Sequence, residues 1–143
     1  MNDAVRQALQ EAELYTDGQL YCLVHLPRHA FTTGAGLLTQ HGAAFSALIL
    51  DKDEVTLILP EAFLERTVPQ IPGYKAECGY RLLTFDLPLD LTLIGFLSVV
   101  STALAAEDIP IMAFSAYERD HLLIREAHFE AALHVLHQLQ TQI

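Results

Sequence analysis

The chain has 143 residues, 52% of them hydrophobic, and a formal net charge of -10. That length suits one compact domain or two small units sharing a core, and the apolar content is enough to fold without a metal or disulfide staple. Phosphate backbones and anionic membrane surfaces repel so acidic a chain, and its few Lys and Arg residues are scattered, so neither nucleic acid nor a membrane is expected as a partner.

Residues 3–14 place Val5, Ala8, Leu9 and Ala12 at helical spacing behind Asn2 or Asp3 as cap, which predicts a short amphipathic helix and not a secretory signal. Thr16, Asp17 and Gly18 turn the chain, and residues 20–26 read as an apolar strand closed by Pro27. Gly34, Gly36 and Gly42 punctuate the next stretch and leave room for a stunted helix over 35–40. Residues 44–50 and 55–59 form a hairpin pattern about Asp51-Lys52-Asp53-Glu54. Pro60 opens a short helix over 61–66, and residues 68–73, with Pro69 and Pro72, read as a joint.

Beyond the joint, residues 81–87 put Leu83, Phe85 and Leu87 on one strand face until Pro88 ends the ladder. Asp90 and Thr92 both suit an N-cap, which predicts a helix beginning at 91–93, with Ile94, Leu97, Val100, Leu104 and Ala105 as its packing stripe. Its uncharged stretch, 91–106, is about 16 residues where a membrane span needs about 20, so a buried helix is expected. Asp108 and Pro110 stop it; strands over 111–117 and 121–125 flank the turn 118–120, and a last helix begins near Glu126.

The order strand, helix, strand, strand, helix thus occurs twice. LYCLVHLP (20–27) resembles RLLTFDLP (81–88), and FSALILDKDEVTLILPEAF (45–63) resembles IMAFSAYERDHLLIREAHF (111–129). The expected fold is α+β and ferredoxin-like: tandem βαββα repeats forming antiparallel sheets with helices on one face. The expected division is an N-terminal helix plus first unit (1–67), a linker (68–79) and a second unit (80–143). Neither repeat shows a fourth strand after its last helix. Exchange between halves is therefore expected, through a segment around 72–77 or through the N-terminal strand.

Residues 87–95 (LPLDLTLIG), the small-residue helix ending in Glu107-Asp108-Ile109-Pro110-Ile111, and AFSAYERDHLLI (113–124) resemble the tandem ACT-domain family, including its arginine-sensor type and the regulatory tails of aspartate kinases. The resemblance implies a non-catalytic regulatory module that needs no cofactor and binds an amino acid between ACT units. It implies a site with Asp90, Leu91, Thr92, Leu93 and Gly95 on one wall and Ser115, Tyr117 and Asp120 on the other. The N–H groups of Leu91, Thr92 and Leu93 at a helix N-terminus would favour a carboxylate, and Asp90 or Asp120 an ammonium. The plainer reading is that Asp90 caps its helix and Asp120 makes its turn. The sequence departs from the family at Ile94, where Thr is common, and at Arg119-Asp120-His121, where Thr-Asp-Tyr is common; Arg119 would supply a cation that others lack. A cytoplasmic setting and a homodimer or a regulated partner protein complete the expectation. The alternative is a dimerisation domain with no small ligand.

Other chemistry-bearing residues have plainer readings. Glu130, His134 and His137 share one face of the last helix and suit a transition metal, but the opposite stripe of Phe129, Leu133, Leu136 and Gln140 makes theirs the solvated face. His25 and His29 read as surface residues flanking Pro27. Cys22 and Cys78, lacking CxxC spacing, read as free thiols in a reducing compartment. The acidic turns 51–54 and 118–120 lack the length and Gly of a calcium loop, and Gly34-Ala35-Gly36 lacks the Lys of a phosphate cradle. No nucleophile and base pair stands out, so neither catalytic nor metal-binding residues are expected.

Overall fold

The computed structural model describes residues 1–41, 45–67 and 71–143. Expectations that fell on Gly42, Ala44, Val68 and Pro69 lie outside the described residues. The chain divides into a continuous unit, Gln19–Tyr80, and a discontinuous one made of Met1–Gly18 with Arg81–Ile143.

In the continuous unit, strand β2 (Leu20–Pro27) leads through a 3₁₀ turn (Arg28–Ala30) into helix α2 (Phe31–Leu38), the hairpin β3 (Ala47–Leu50) and β4 (Glu54–Pro60), and helix α3 (Glu61–Thr67). The strands lie in the order β3-β4-β2-β5, the last contributed by the first residues of β5 (Lys75–Asp86). Both β3 and β2 run antiparallel to β4. Period-two alternation buries Cys22, Val24 and Leu26 of β2 with Val55, Leu57 and Leu59 of β4 against Ala30, Leu37, Phe63 and Leu64. Helix α2 starts at Phe31 and runs through Gly34 and Gly36, longer than the stunted helix expected over 35–40. Gly34 permits close approach: a Cβ there would lie 3.2 Å from Leu26 Cδ1.

The discontinuous unit begins with helix α1 (Asp3–Glu11), which stops at Ala12 and gives way to strand β1 (Glu13–Tyr15). Helical periodicity over 3–14 therefore misreads its last three residues. The side chain of Asn2 accepts the Val5 N–H at 2.9 Å, and Gln140 donates to the carbonyls of Leu9 and Ala12, so both ends of α1 are satisfied. After β5 come α4 (Phe96–Ala106), β6 (Met112–Ser115), β7 (Asp120–Arg125) and α5 (Glu126–Gln142). Strand order is β1-β5-β7-β6, with Glu13, Leu14 and Tyr15 antiparallel to Asp86, Phe85 and Thr84. Leu83, Phe85, Leu122 and Ile124 from the sheet meet Val5 and Leu9 of α1, Phe96, Val100 and Leu104 of α4, and Phe129, Ala132 and Leu136 of α5. Leu82 and Leu123, on the alternate strand positions, are buried too.

The missing fourth strands are thus supplied as exchange requires: residues 13–15 complete the later repeat, and residues 75–80 complete the earlier one. Two boundaries are corrected. The N-terminal helix belongs with the later repeat and not the first, because its apolar stripe packs on α4 and α5. The linker expected over 68–79 already contains the beginning of β5. The cysteines are also corrected: Cys22 and Cys78 form a disulfide with Cα atoms 4.0 Å apart, because β5 runs beside β2.

Candidate functional site

Three pieces of the discontinuous unit converge: the loop between β5 and α4, the first turn of α4, and the tip of the β6–β7 hairpin. The Ala116 N–H donates to the Arg119 carbonyl at 2.9 Å and closes the hairpin; the Leu89 N–H donates to the Glu118 carbonyl at 2.6 Å and ties the loop to that tip. Between them lies a cleft of about 320 Å³, near the lower end of the roughly 300–1,000 Å³ of small-molecule sites. From the loop it is lined by Asp90, Leu91, Leu93 and Gly95, and from the hairpin by Ser115, Tyr117 and Asp120. Thr92 instead borders an adjoining open depression with Pro88. All these residues fall within one unit.

The expected donors are not where the helix would have put them. The Asp90 carboxylate accepts from the Thr92 N–H at 2.8 Å and the Thr92 hydroxyl at 2.6 Å, and the Leu93 N–H donates to the Asp90 carbonyl at 3.0 Å. Asp90 therefore organises an Asx turn rather than capping a helix. The Thr92 hydroxyl and then its N–H hold the Asp90 carboxyl below its ordinary range. Helix α4 begins later, at Phe96, behind Gly95 at φ 96 and without a side-chain cap. Gly is required there, since that backbone strains any side chain-bearing L residue. Phe96 is seated edge-on against Phe85 of β5, ring centres 5.1 Å apart, which fixes where the helix starts. Phe96, Leu97 and Ser98 line the cleft, so the first-turn N–H groups and the positive end of the α4 dipole belong to them, not to Leu91, Thr92 and Leu93. Ile94, expected in the packing stripe, is 79% exposed because it precedes the helix.

Arg119 also departs from expectation. Its Nε donates to Asp86 at 2.8 Å and its Nη1 to Glu118 at 3.3 Å, and Asp86 foremost holds the guanidinium further into its charged form. It braces the hairpin against the end of β5. Glu118 and Asp120 add carboxylates to the cleft, while Leu91 (71% exposed) and Tyr117 (78% exposed) present apolar surface at its rim. Glu118, Ser98 and Leu89 were not singled out from sequence. The signal for the α4 residues is the Gly95-Phe96 step, a left-handed position followed by an anchoring aromatic.

Next to the cleft, His121 Nδ1 lies 2.8 Å from Thr84 Oγ1. Burial pushes the imidazole pKa down, with Asp120 opposing and Arg119 assisting. A depressed folded-state pKa means the unfolded chain takes up the proton first, so this group lowers stability as pH falls through the ordinary imidazole range, about 6.5. Urea unfolding at about pH 7.5 and about pH 5.5 should show a smaller acid-induced loss in His121→Gln than in the parent. An equal loss in both would remove His121 from the account.

The other candidates stay apart from the cleft. Glu130, His134 and His137 are exposed on α5, His29 is exposed, and His25 lies 3.7 Å from Glu54 at the surface. Among the described residues no helix is long and apolar enough to cross a membrane.

Residues 75–138 match the family model of the ACT domain. That segment, fewer than half of the 143 residues, resembles an ACT domain. Solved structures share the ACT fold at low sequence identity. A protein of unknown function from Vibrio cholerae, described as a possible transport protein, superimposes with a TM-score of 0.71 at 17% identity, over 96% of both chains. A structural-genomics protein from Agrobacterium tumefaciens gives 0.67 at 21% identity, over 85% of this chain and 84% of its own. The regulatory subunit of aspartate kinase from Thermus thermophilus gives 0.66 at 14% identity, over 90% of this chain and 97% of its own. No curated protein matches the sequence. In the matched ACT domain, β5, α4, β6, β7 and α5 supply strand, helix, strand, strand and helix, and the cleft opens where its first strand hands over to its first helix.

Proposed function

We propose that this protein is a non-catalytic cytoplasmic regulator that binds an amino acid in the cleft between the α4 N-terminus and the β6–β7 hairpin. The observation that carries this reading is the pairing of opposite electrostatic ends across one small cavity. The first turn of α4, uncapped by any side chain, offers N–H donors to a carboxylate, while Asp120 and Glu118 offer carboxylates to an ammonium. Leu89, Leu91 and Leu97 surround the space between with apolar surface suited to a side chain. The exposed Leu91, Ile94 and Tyr117 near the mouth support closure by a second copy or a regulated partner protein, so that ligand touching both surfaces shifts the association equilibrium. The same exposed residues favour the alternative of a dimerisation domain without a ligand.

A thermal-shift screen against the common amino acids tests the proposal. A ligand at about 100 times its Kd adds about 2.7 kcal/mol, or roughly 5–10 °C for a chain of this size. The expected result is a rise with one or a few amino acids that Asp120→Asn abolishes without lowering the unliganded Tm. No rise with any of them, together with a dimer that Leu91→Asp or Tyr117→Asp dissociates, would sink the amino-acid reading and leave the dimerisation domain.

A further inference from the structure

The sulfurs of Cys22 and Cys78 and a carboxylate oxygen of Glu61 all lie within 4.8 Å of one another, in the continuous unit, to which no residue of the cleft belongs. We propose that, once the disulfide is reduced, these three side chains hold a thiophilic divalent cation of the zinc type, and that oxidation expels it.

The geometry suits such an ion. At Zn–S and Zn–O distances of about 2.3 and 2.1 Å, a tetrahedral site has sulfur–sulfur and sulfur–oxygen edges of roughly 3.8 and 3.6 Å. Breaking the disulfide forces the sulfurs apart to van der Waals contact, near that first edge, and Cα atoms 4.0 Å apart on neighbouring strands allow this by side-chain rotation. The ligands come from three elements that the core already fixes: Cys22 from β2, Cys78 from β5 and Glu61 from the first position of α3. Cys22 is fully buried, whereas Cys78 and Glu61 are half-buried, so an ion enters from their side and finds its fourth ligand in water. A divalent cation offsets both thiolates, and the one negative charge left over by the Glu61 carboxylate falls on the half-buried side rather than beside Cys22.

The chemistry balances with a dithiol reductant. The reductant's two electrons break the Cys22–Cys78 bond, its two protons pass to the sulfurs, and it leaves as its own disulfide; the cation then displaces both protons to form two metal–sulfur bonds. In the reverse direction the two thiolates give two electrons to a disulfide oxidant, whose S–S bond breaks to two thiols with protons from water, while the Cys22–Cys78 bond re-forms and the cation departs.

The test uses the full chain, reduced by a phosphine and titrated anaerobically with Co²⁺ as probe. The expected result is one cobalt per chain, with thiolate-to-cobalt charge-transfer absorption that zinc displaces and diamide abolishes as two thiols disappear. Glu61→Gln, a half-buried surface substitution, should weaken binding at least about tenfold. Cys78→Ser should abolish the absorption, and His134→Ala with His137→Ala should leave it unchanged. Absence of charge-transfer absorption in the reduced, folded parent would overturn the proposal, as would its survival in Cys78→Ser or unchanged affinity in Glu61→Gln.

Discussion

Deleting residues 1–18 should cost the discontinuous unit most or all of its stability. Val5 and Leu9 are 1% exposed and Ala12 is 4% exposed, all within the core formed with α4 and α5. Burying one Val or Leu is worth about 1.5–3 kcal/mol, so losing both with Ala12 removes roughly 5 kcal/mol before strand pairing is considered. Loss of β1 also frees the edge of β5 at Thr84, Phe85 and Asp86 for unwanted pairing. Against a typical domain stability of about 5–15 kcal/mol, that is enough to leave the segment partly unfolded. Urea denaturation followed by far-ultraviolet circular dichroism should show a markedly lower midpoint or a lost transition. A truncated chain that unfolds at the parent midpoint would show that α1 and β1 contribute nothing to this core.

Phe129→Ala should be the most damaging single substitution of those considered, destabilising by about 3–5 kcal/mol. The ring is 1% exposed on the buried face of α5 that Ala132 and Leu136 continue. It also carries a second contact: the Arg81 guanidinium carbon sits 4.2 Å from the ring centre, and among the described residues the buried Arg81 Nε has no hydrogen-bond partner. The ring face is therefore what receives this cation, through an interaction worth about 0.5–2 kcal/mol. Phe129→Leu separates the contributions by restoring bulk without the π face. A double-mutant cycle with Arg81→Met should give a coupling within that range for Phe129→Leu. Zero coupling would mean that Arg81 only packs its stem.

The repeated strand-helix-strand-strand-helix order was legible because strands and helices here bury residues at different periods. Cys22, Val24 and Leu26 alternate, while Phe129, Ala132 and Leu136 recur at helical spacing. The cleft was legible in outline for a related reason. Residues around Asp90 and Asp120 had to adjoin once a loop after β5 and a hairpin tip belonged to the same unit, and the cleft gathers Asp90, Leu91, Leu93, Gly95, Ser115, Tyr117 and Asp120. What failed were competitions between local devices of similar strength. Asp90 and Thr92 satisfy one another in a turn, which delays the helix by more than a residue. The helical stripe ending at Ala12 carries the helix reading on to Leu14, yet a free edge on β5 takes Glu13, Leu14 and Tyr15 as strand. The disulfide joins residues 56 apart in sequence, and no local pattern announces that β2 and β5 are neighbours.

Because the cleft-bearing unit is made of two segments with the other unit between them in sequence, synthesis on a ribosome should assemble the two units out of step. Gln19–Tyr80 emerges as one uninterrupted segment and can collapse as soon as its last residues are clear. Residues 1–18, although made before that segment, must wait for partners made well after it: Leu9 and Ala12 have their carbonyls capped by Gln140. Until residues 126–142 are clear of the ribosome, the helix that carries Phe96, Leu97 and Ser98 lacks the α5 packing that holds it, so a nascent chain short of them should be blind to any ligand the cleft takes.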